Sequence, residues 1–213
     1  GRPSDNPLIV HIAALQEAAP LVRNVSPAAA CLMDAFWPGP LSLIMEKSEL
    51  IPDIVTCGLD TVAIRMPAHP IALALIRESG RPVAAPSANT SGRPSPTCAA
   101  HVIEDLRGRV DVIIDGGNTD VGLESTVLDT TVNPPVILRP GGITKEQMEE
   151  LLGRVQVDPN VVKKPEKNVV PRSPGVKHRH YSPRADVIVV KGDLARVVDK
   201  VNALIEENRR LGI

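Results

Sequence analysis

Apolar positions follow two rhythms along this chain. Brief, largely apolar runs occur at 8–12, 41–45, 61–65, 82–86, 110–115, 125–129 and 136–138, and each predicts a strand. Between them, longer segments with apolar residues at helical spacing predict helices over 13–22, from Pro27 to just before Pro38, over 69–79, over 97–107 and over 144–152. Ser26-Pro27 is a strong start, a capping hydroxyl followed by the ring that fits the first helical turn, and Pro38-Gly39-Pro40 stops that helix. Gly80 closes the next one, whose Ile71, Leu73, Leu75 and Ile76 predict a buried helix. Strands alternating with helices give an α/β domain over residues 1–155. The short link between 125–129 and 136–138 requires neighbouring antiparallel strands, so the predicted sheet is mixed.

After Val155 the rhythm stops. Residues 156–185 hold five prolines and many charges, and they predict a linker, yet Lys177-His178-Arg179-His180-Tyr181 is too rich in chemistry for a plain tether. A strand at 186–190 and an amphipathic helix at 194–210 follow. Such a pair is too small to close its own core, so residues 186–213 read as the truncated start of a C-terminal domain.

Composition narrows the picture. Hydrophobic residues make up 43% of the chain, which excludes wholesale disorder, although the only aromatics are Phe36, Trp37 and Tyr181. A net charge of −1 counts against a protein that wraps nucleic acid. No apolar run approaches the ~20 residues of a membrane span and no basic-then-apolar leader opens the chain, so a cytoplasmic protein with no membrane partner is expected. Cys31, Cys57 and Cys98 are widely spaced and read as reduced thiols; no metal-ligand spacing occurs, so no metal site is expected.

Charge matters more by position than by sum. Four polar clusters sit at strand ends, where open α/β sheets place their ligands: Arg2, Ser4, Asp5 and Asn6 with His11; Thr61 with Arg65; Ser87, Asn89, Ser91, Arg93 and Ser95; and Glu124-Ser125-Thr126 with Arg139. Guanidinium groups bind phosphate or carboxylate through paired hydrogen bonds, so arginines gathered in this way predict an anion pocket. There is no P-loop and no dinucleotide-binding glycine motif. Gly122-Leu123-Glu124-Ser125-Thr126 fails as a nucleophile elbow because position 127 is Val.

Several long motifs in order carry a family resemblance. Gly1-Arg2-Pro3-Ser4-Asp5-Asn6-Pro7, Phe36-Trp37-Pro38-Gly39-Pro40, Thr61-Val62-Ala63-Ile64-Arg65, Ala85-Pro86-Ser87-Ala88-Asn89, Gly122-Leu123-Glu124-Ser125-Thr126 and Leu138-Arg139-Pro140-Gly141-Gly142 resemble the YrdC-type domain of threonylcarbamoyl-AMP synthases. Ser173-Pro174-Gly175-Val176-Lys177-His178-Arg179-His180-Tyr181-Ser182-Pro183 resembles the linker of that family's long form. The resemblance implies a YrdC-like twisted mixed sheet with flanking helices around a positively charged cavity. It implies condensation of L-threonine, bicarbonate and ATP, the last with Mg2+, into threonylcarbamoyl-AMP and pyrophosphate. Partner proteins would then transfer the threonylcarbamoyl group to tRNA beside the anticodon, so contact with tRNA would be indirect.

By the same resemblance the nucleotide would touch Arg2, Asn6, Thr61, Ser87, Asn89, Ser95, Arg139 and His178, the last standing where the family commonly has Tyr. Threonine would touch His11, Arg65, Ala85 and Ser125, and His180 and Tyr181 would belong to a lid. The chain opens on Gly1-Arg2-Pro3 without Met, inside a family motif, so these residues alone are expected to be weakly active or inactive. Two other readings remain open at this point. One is a non-catalytic RNA-binding module, and the other an enzyme of the same fold that makes carbamoyl-adenylate.

Overall fold

The computed structural model describes residues 3–161 and 188–207 and divides the chain into two compact units, Gly1–Ser182 and Pro183–Ile213. The larger unit is built on one sheet. Its strands are β1 (Ile9–His11), β2 (Leu41–Glu46), β3 (Thr61–Arg65), β4 (Val83–Ala85), β5 (Thr126–Asp129), β6 (Val136–Arg139) and β7 (Gln156–Val157), in the order β4-β1-β3-β2-β5-β6-β7. β1 with β3, β2 with β5 and β6 with β7 run parallel, while the other neighbours are antiparallel, so the sheet is mixed as the short 125–138 connection requires. Helices α1 (Pro27–Phe36), α2 (Asp53–Thr56), α3 (Pro70–Ser79), α4 (Ala99–Leu106) and α5 (Lys145–Leu152) belong to this unit.

Pleat alternation divides the sheet between two tasks. Val10, Leu41, Leu43, Met45, Val62, Ile64, Leu128 and Ile137 enter one core with Ala29, Leu32 and Met33 of α1 and Met148 of α5. The opposite side carries only Ile9, Ile44, Ala63, Val127 and Leu138 as a buried apolar cluster. The small second cluster leaves the polar ends of β1, β3 and β6 open to a cavity. The helices form where caps allow them. The Ser26 hydroxyl accepts from the Ala29 amide with Pro27 in the first turn, α3 ends on Gly80 at φ +63°, and Thr144 with Gln147 builds a capping box on α5.

Four expectations are corrected. Residues 13–22 form two short 3-10 turns, Leu15–Glu17 and Ala19–Leu21, instead of a helix. Pro20 has no amide to donate, and the Glu17 carboxylate turns back to accept the Ala13 amide at 2.9 Å. Helix α3 buries only Ile76 and leaves Leu75 54% exposed, so it lies on the surface rather than in the core. The run at 110–115 forms no strand: it has no ladder partner among the described residues, and Val112 is 75% exposed. β-Branched composition favours a pleated, half-buried surface and does not create one by itself. The sheet also continues past Val155, because the Gln156 amide donates to the Pro135 carbonyl and the Asp158 amide to the Ile137 carbonyl, both at 2.9 Å.

The unpredicted helix α2 is tied down by Lys47, which pairs with Asp53 and reaches the Thr56 hydroxyl at 3.5 Å. In the smaller unit, α6 spans Leu194–Glu207, with the Asp193 carboxylate accepting the Arg196 amide at 3.0 Å. Residues 188–190 carry no strand, and the rest of the segment expected to form one lies outside the described residues.

Candidate active site

Two tight turns brace the segments around a cavity of about 270 Å³. The Trp37 indole is buried and donates to the Leu41 carbonyl at 2.8 Å, fixing the turn that precedes β2. Gly39 sits in that turn against the Phe36 carbonyl, where a β-carbon would collide. Gly141 is equally confined, because a β-carbon there would strike the Glu124 carbonyl and the Thr126 amide nitrogen. The Gly142 amide donates to the Glu124 carbonyl at 3.0 Å, which ties the turn after β6 to the segment before β5.

These turns and the strand ends bring His11, Arg65, Ala85, Ser125 and Arg139 together with Asn6, Ser87 and Ser95 as lining of that one cavity. Arg65 donates from Nε to the Gly39 carbonyl at 3.0 Å. Burial and then the charge of Arg139 lower its pKa. Arg139 donates from Nε and Nη2 to the Ser125 carbonyl at 3.1 and 2.9 Å, and from Nη2 to the Ser125 hydroxyl at 3.0 Å. Two guanidinium groups thus share a space whose only lining carboxylate, among the described residues, is Glu124. An anion entering that space relieves their mutual repulsion.

His11 is the neutral member. Its Nδ1 lies 3.3 Å from the Val83 carbonyl, which can only accept, so Nδ1 carries the proton and Nε2 the lone pair. Burial first, and then the nearby Arg65 charge, pull its pKa down from 6.5 to about 4. At neutral pH it offers an acceptor rather than a charge.

Other residues named from the sequence lie elsewhere. Asn89 does not line the cavity; its amide donates to the Thr90 and Arg93 carbonyls at 3.0 and 3.1 Å and braces the loop that presents Ser87 and Ser95. That loop is anchored to α4 through Asp105, which accepts the Thr90 amide at 2.9 Å and pairs with Arg93. The Thr90 amide, then Arg93, hold the Asp105 carboxyl below its usual range. Thr61 opens β3 on the same face as Arg65 but four residues earlier, roughly 13 Å along the strand, and does not line the cavity. Arg2, His178, His180 and Tyr181 lie outside the described residues. Among the described residues no group of three or more His, Cys, Asp or Glu could hold a metal.

Sequence reasoning missed Thr119, which lines the cavity, and Ser42, which stands behind Ser125 with the two hydroxyls 2.8 Å apart. A signal for Ser42 was present: it is the one hydroxyl in the apolar run Leu41-Ser42-Leu43-Ile44-Met45.

The Sua5_yciO_yrdC family model, described as telomere recombination, matches residues 1–141. The chain belongs to this family. A second model, the C-terminal domain of threonylcarbamoyl-AMP synthase, matches residues 143–213. Threonylcarbamoyl-AMP synthases of Pyrococcus abyssi and Bacillus subtilis are each 51% identical over the whole of this chain, which covers 63% and 61% of them respectively. The chain therefore spans about three fifths of the length of these curated relatives. A crystal structure of P. abyssi Sua5 complexed with L-threonine superposes with a TM-score of 0.92 at 52% identity, over 97% of this chain and 60% of that one.

Proposed function

We propose that the protein is an L-threonylcarbamoyladenylate synthase, forming threonylcarbamoyl-AMP and pyrophosphate from L-threonine, bicarbonate and ATP. The observation that carries this reading is the single cavity joining Arg65, Arg139, neutral His11 and the Ser125 hydroxyl to the Ser87–Ser95 loop. The 52%-identical P. abyssi protein, crystallised with L-threonine, supports the choice of amino acid.

The chemistry balances without a covalent protein intermediate. The threonine amine attacks bicarbonate, giving a carbamate and water, and a carbamate oxygen then displaces pyrophosphate from the α-phosphorus of ATP. Bicarbonate, the carbamate and the ATP phosphates are all anionic and threonine adds a carboxylate, so the main task is to hold anions together in line, and fixed guanidinium groups suit it. Arg65 takes the threonine carboxylate, and Arg139 faces the carboxyl or phosphate oxygens that meet there. His11, with its pKa pulled down to about 4, far below that of an α-amine, is too weak a base to deprotonate the ammonium; it accepts a hydrogen bond from threonine instead. Asn6, Ser87 and Ser95 hydrogen-bond the nucleotide, Asn89 holds their loop, and Ala85 borders the threonine.

Magnesium enters as part of the substrate. The ion is carried on the ATP phosphates, which commonly supply much of the coordination of Mg2+ at nucleotide sites. The sheet-bearing domain, which runs on through β7, supplies the catalytic part, and the linker that follows it, through His178, His180 and Tyr181, the cover over the nucleotide, with Arg2 on the phosphates. The labile product passes to proteins that modify tRNA in the cytoplasm.

The deciding test compares acceptors in the full-length protein. ATP with threonine and bicarbonate is expected to yield an adenylate and pyrophosphate, whereas ATP with carbamoyl phosphate yields none. Adenylate formation from carbamoyl phosphate alone would overturn the choice of threonine, and tRNA binding without nucleotide turnover would overturn the enzymatic reading.

A further inference from the structure

Ser42 lies wholly inside the protein, in β2 between Leu41 and Leu43. Those leucines enter the larger core, so the pleat turns Ser42 to the cavity side of the sheet. The β2–β3 register, with Leu43 opposite Ile64, sets Ser42 beside Arg65. Among the described residues its hydroxyl has one partner, the Ser125 hydroxyl at 2.8 Å.

The direction of that hydrogen bond follows from counting protons. A guanidinium can only donate, so the Arg139 Nη2 contact at 3.0 Å occupies one lone pair of the Ser125 oxygen. Ser125 keeps one proton and one further lone pair. If Ser125 donated to Ser42, the Ser42 proton would be left without an acceptor in a fully buried place, and orphaned buried donors are rarer and more costly than under-used acceptors. If Ser42 donates, both lone pairs of Ser125 are filled, from Arg139 and from Ser42. The Ser125 proton is then left for the cavity that this residue lines.

We propose that Ser42 is a positioning residue that commits Ser125 to act as a hydrogen-bond donor toward a carboxyl oxygen in the cavity. With both lone pairs filled, Ser125 cannot accept from an ammonium or a substrate hydroxyl. Its ligand is therefore a hydrogen-bond acceptor, and beside Arg65 and Arg139 we assign that acceptor to an anion, either the threonine carboxylate or the carboxyl group derived from bicarbonate. This inference rests on the proposed synthase reading.

Ser42→Ala and Ser42→Thr in the full-length protein test it. Threonine affinity is measured by calorimetry without bicarbonate, and KM for bicarbonate and for ATP by pyrophosphate release. S42A is expected to weaken one of the two carboxyl ligands by roughly tenfold, the scale of one misdirected hydrogen bond to a charged group, and to leave KM for ATP within about twofold. A shift in threonine affinity assigns the Ser125 proton to the amino-acid carboxylate; a shift confined to bicarbonate KM assigns it to the carbamate end. S42T, which restores the hydroxyl, is expected to recover most of the loss; thermal melting of both variants shows whether they are folded. Unchanged threonine affinity and bicarbonate KM in folded S42A would overturn the assignment, as would an equal loss toward all three substrates that S42T fails to restore. If the unsubstituted protein binds no threonine and consumes no bicarbonate, the synthase reading itself falls, a result separate from either of these.

Discussion

His11 illustrates how much one side chain can owe to its surroundings. Held under burial and beside Arg65, it stays neutral down to about pH 4, so its folded pKa lies below the 6.5 of the free side chain. The unfolded chain then binds the proton more readily than the folded one between those values. Stability is therefore full above about pH 6.5 and is lost as pH falls toward 4, by up to about 3 kcal/mol from this residue. Urea unfolding at pH 7 and pH 4.5 is expected to show that loss, and His11→Gln to remove much of the difference. An unchanged difference in the variant would show that other groups cause it. His11 was legible in the sequence as a polar residue on a strand, but its neutrality was not, since Val83 and Arg65 reach it only through sheet pairing.

At the scale of elements, the site depends on how closely the turn after β6 approaches the segment before β5. Gly141 packs against the Glu124 carbonyl and the Thr126 amide nitrogen, and the Thr126 hydroxyl both donates to the Ile143 carbonyl at 2.6 Å and accepts the Ile143 amide at 3.0 Å. Gly141→Ala forces these backbones apart at about 1–3 kcal/mol, the usual range for overpacking. Because Ser125 lies between them, catalysis is expected to fall more than stability; thermal melting alongside pyrophosphate release measures both. A melting temperature and a turnover that both stay at the unsubstituted values would refute the tight approach. The apolar runs at 41–45 and 61–65 could be read as strands because their neighbours also bury them. The run at 110–115 looked the same in sequence yet has no ladder partner among the described residues, and Pro20 interrupted a stretch whose spacing looked helical. Ser42 stood out as a hydroxyl among apolar neighbours, but its partner is 83 residues away, and only the β2–β5 pairing joins them.

Across the whole molecule, a net charge of −1 conceals a local excess of positive charge. Arg65 and Arg139 come from different strands and meet in one cavity, with the neutral His11 and the oriented hydroxyl of Ser125 beside them. Anions that repel one another in water are held there at reacting distance, which is what joining a carbamate to a nucleotide triphosphate requires. The most direct test supplies the full-length protein with MgATP, L-threonine and bicarbonate labelled with heavy carbon, and follows the adenylate by mass spectrometry. A threonylcarbamoyl-AMP that carries the label and disappears when either threonine or bicarbonate is omitted is expected. An adenylate that forms without threonine, or one that contains no label, would contradict the synthase reading.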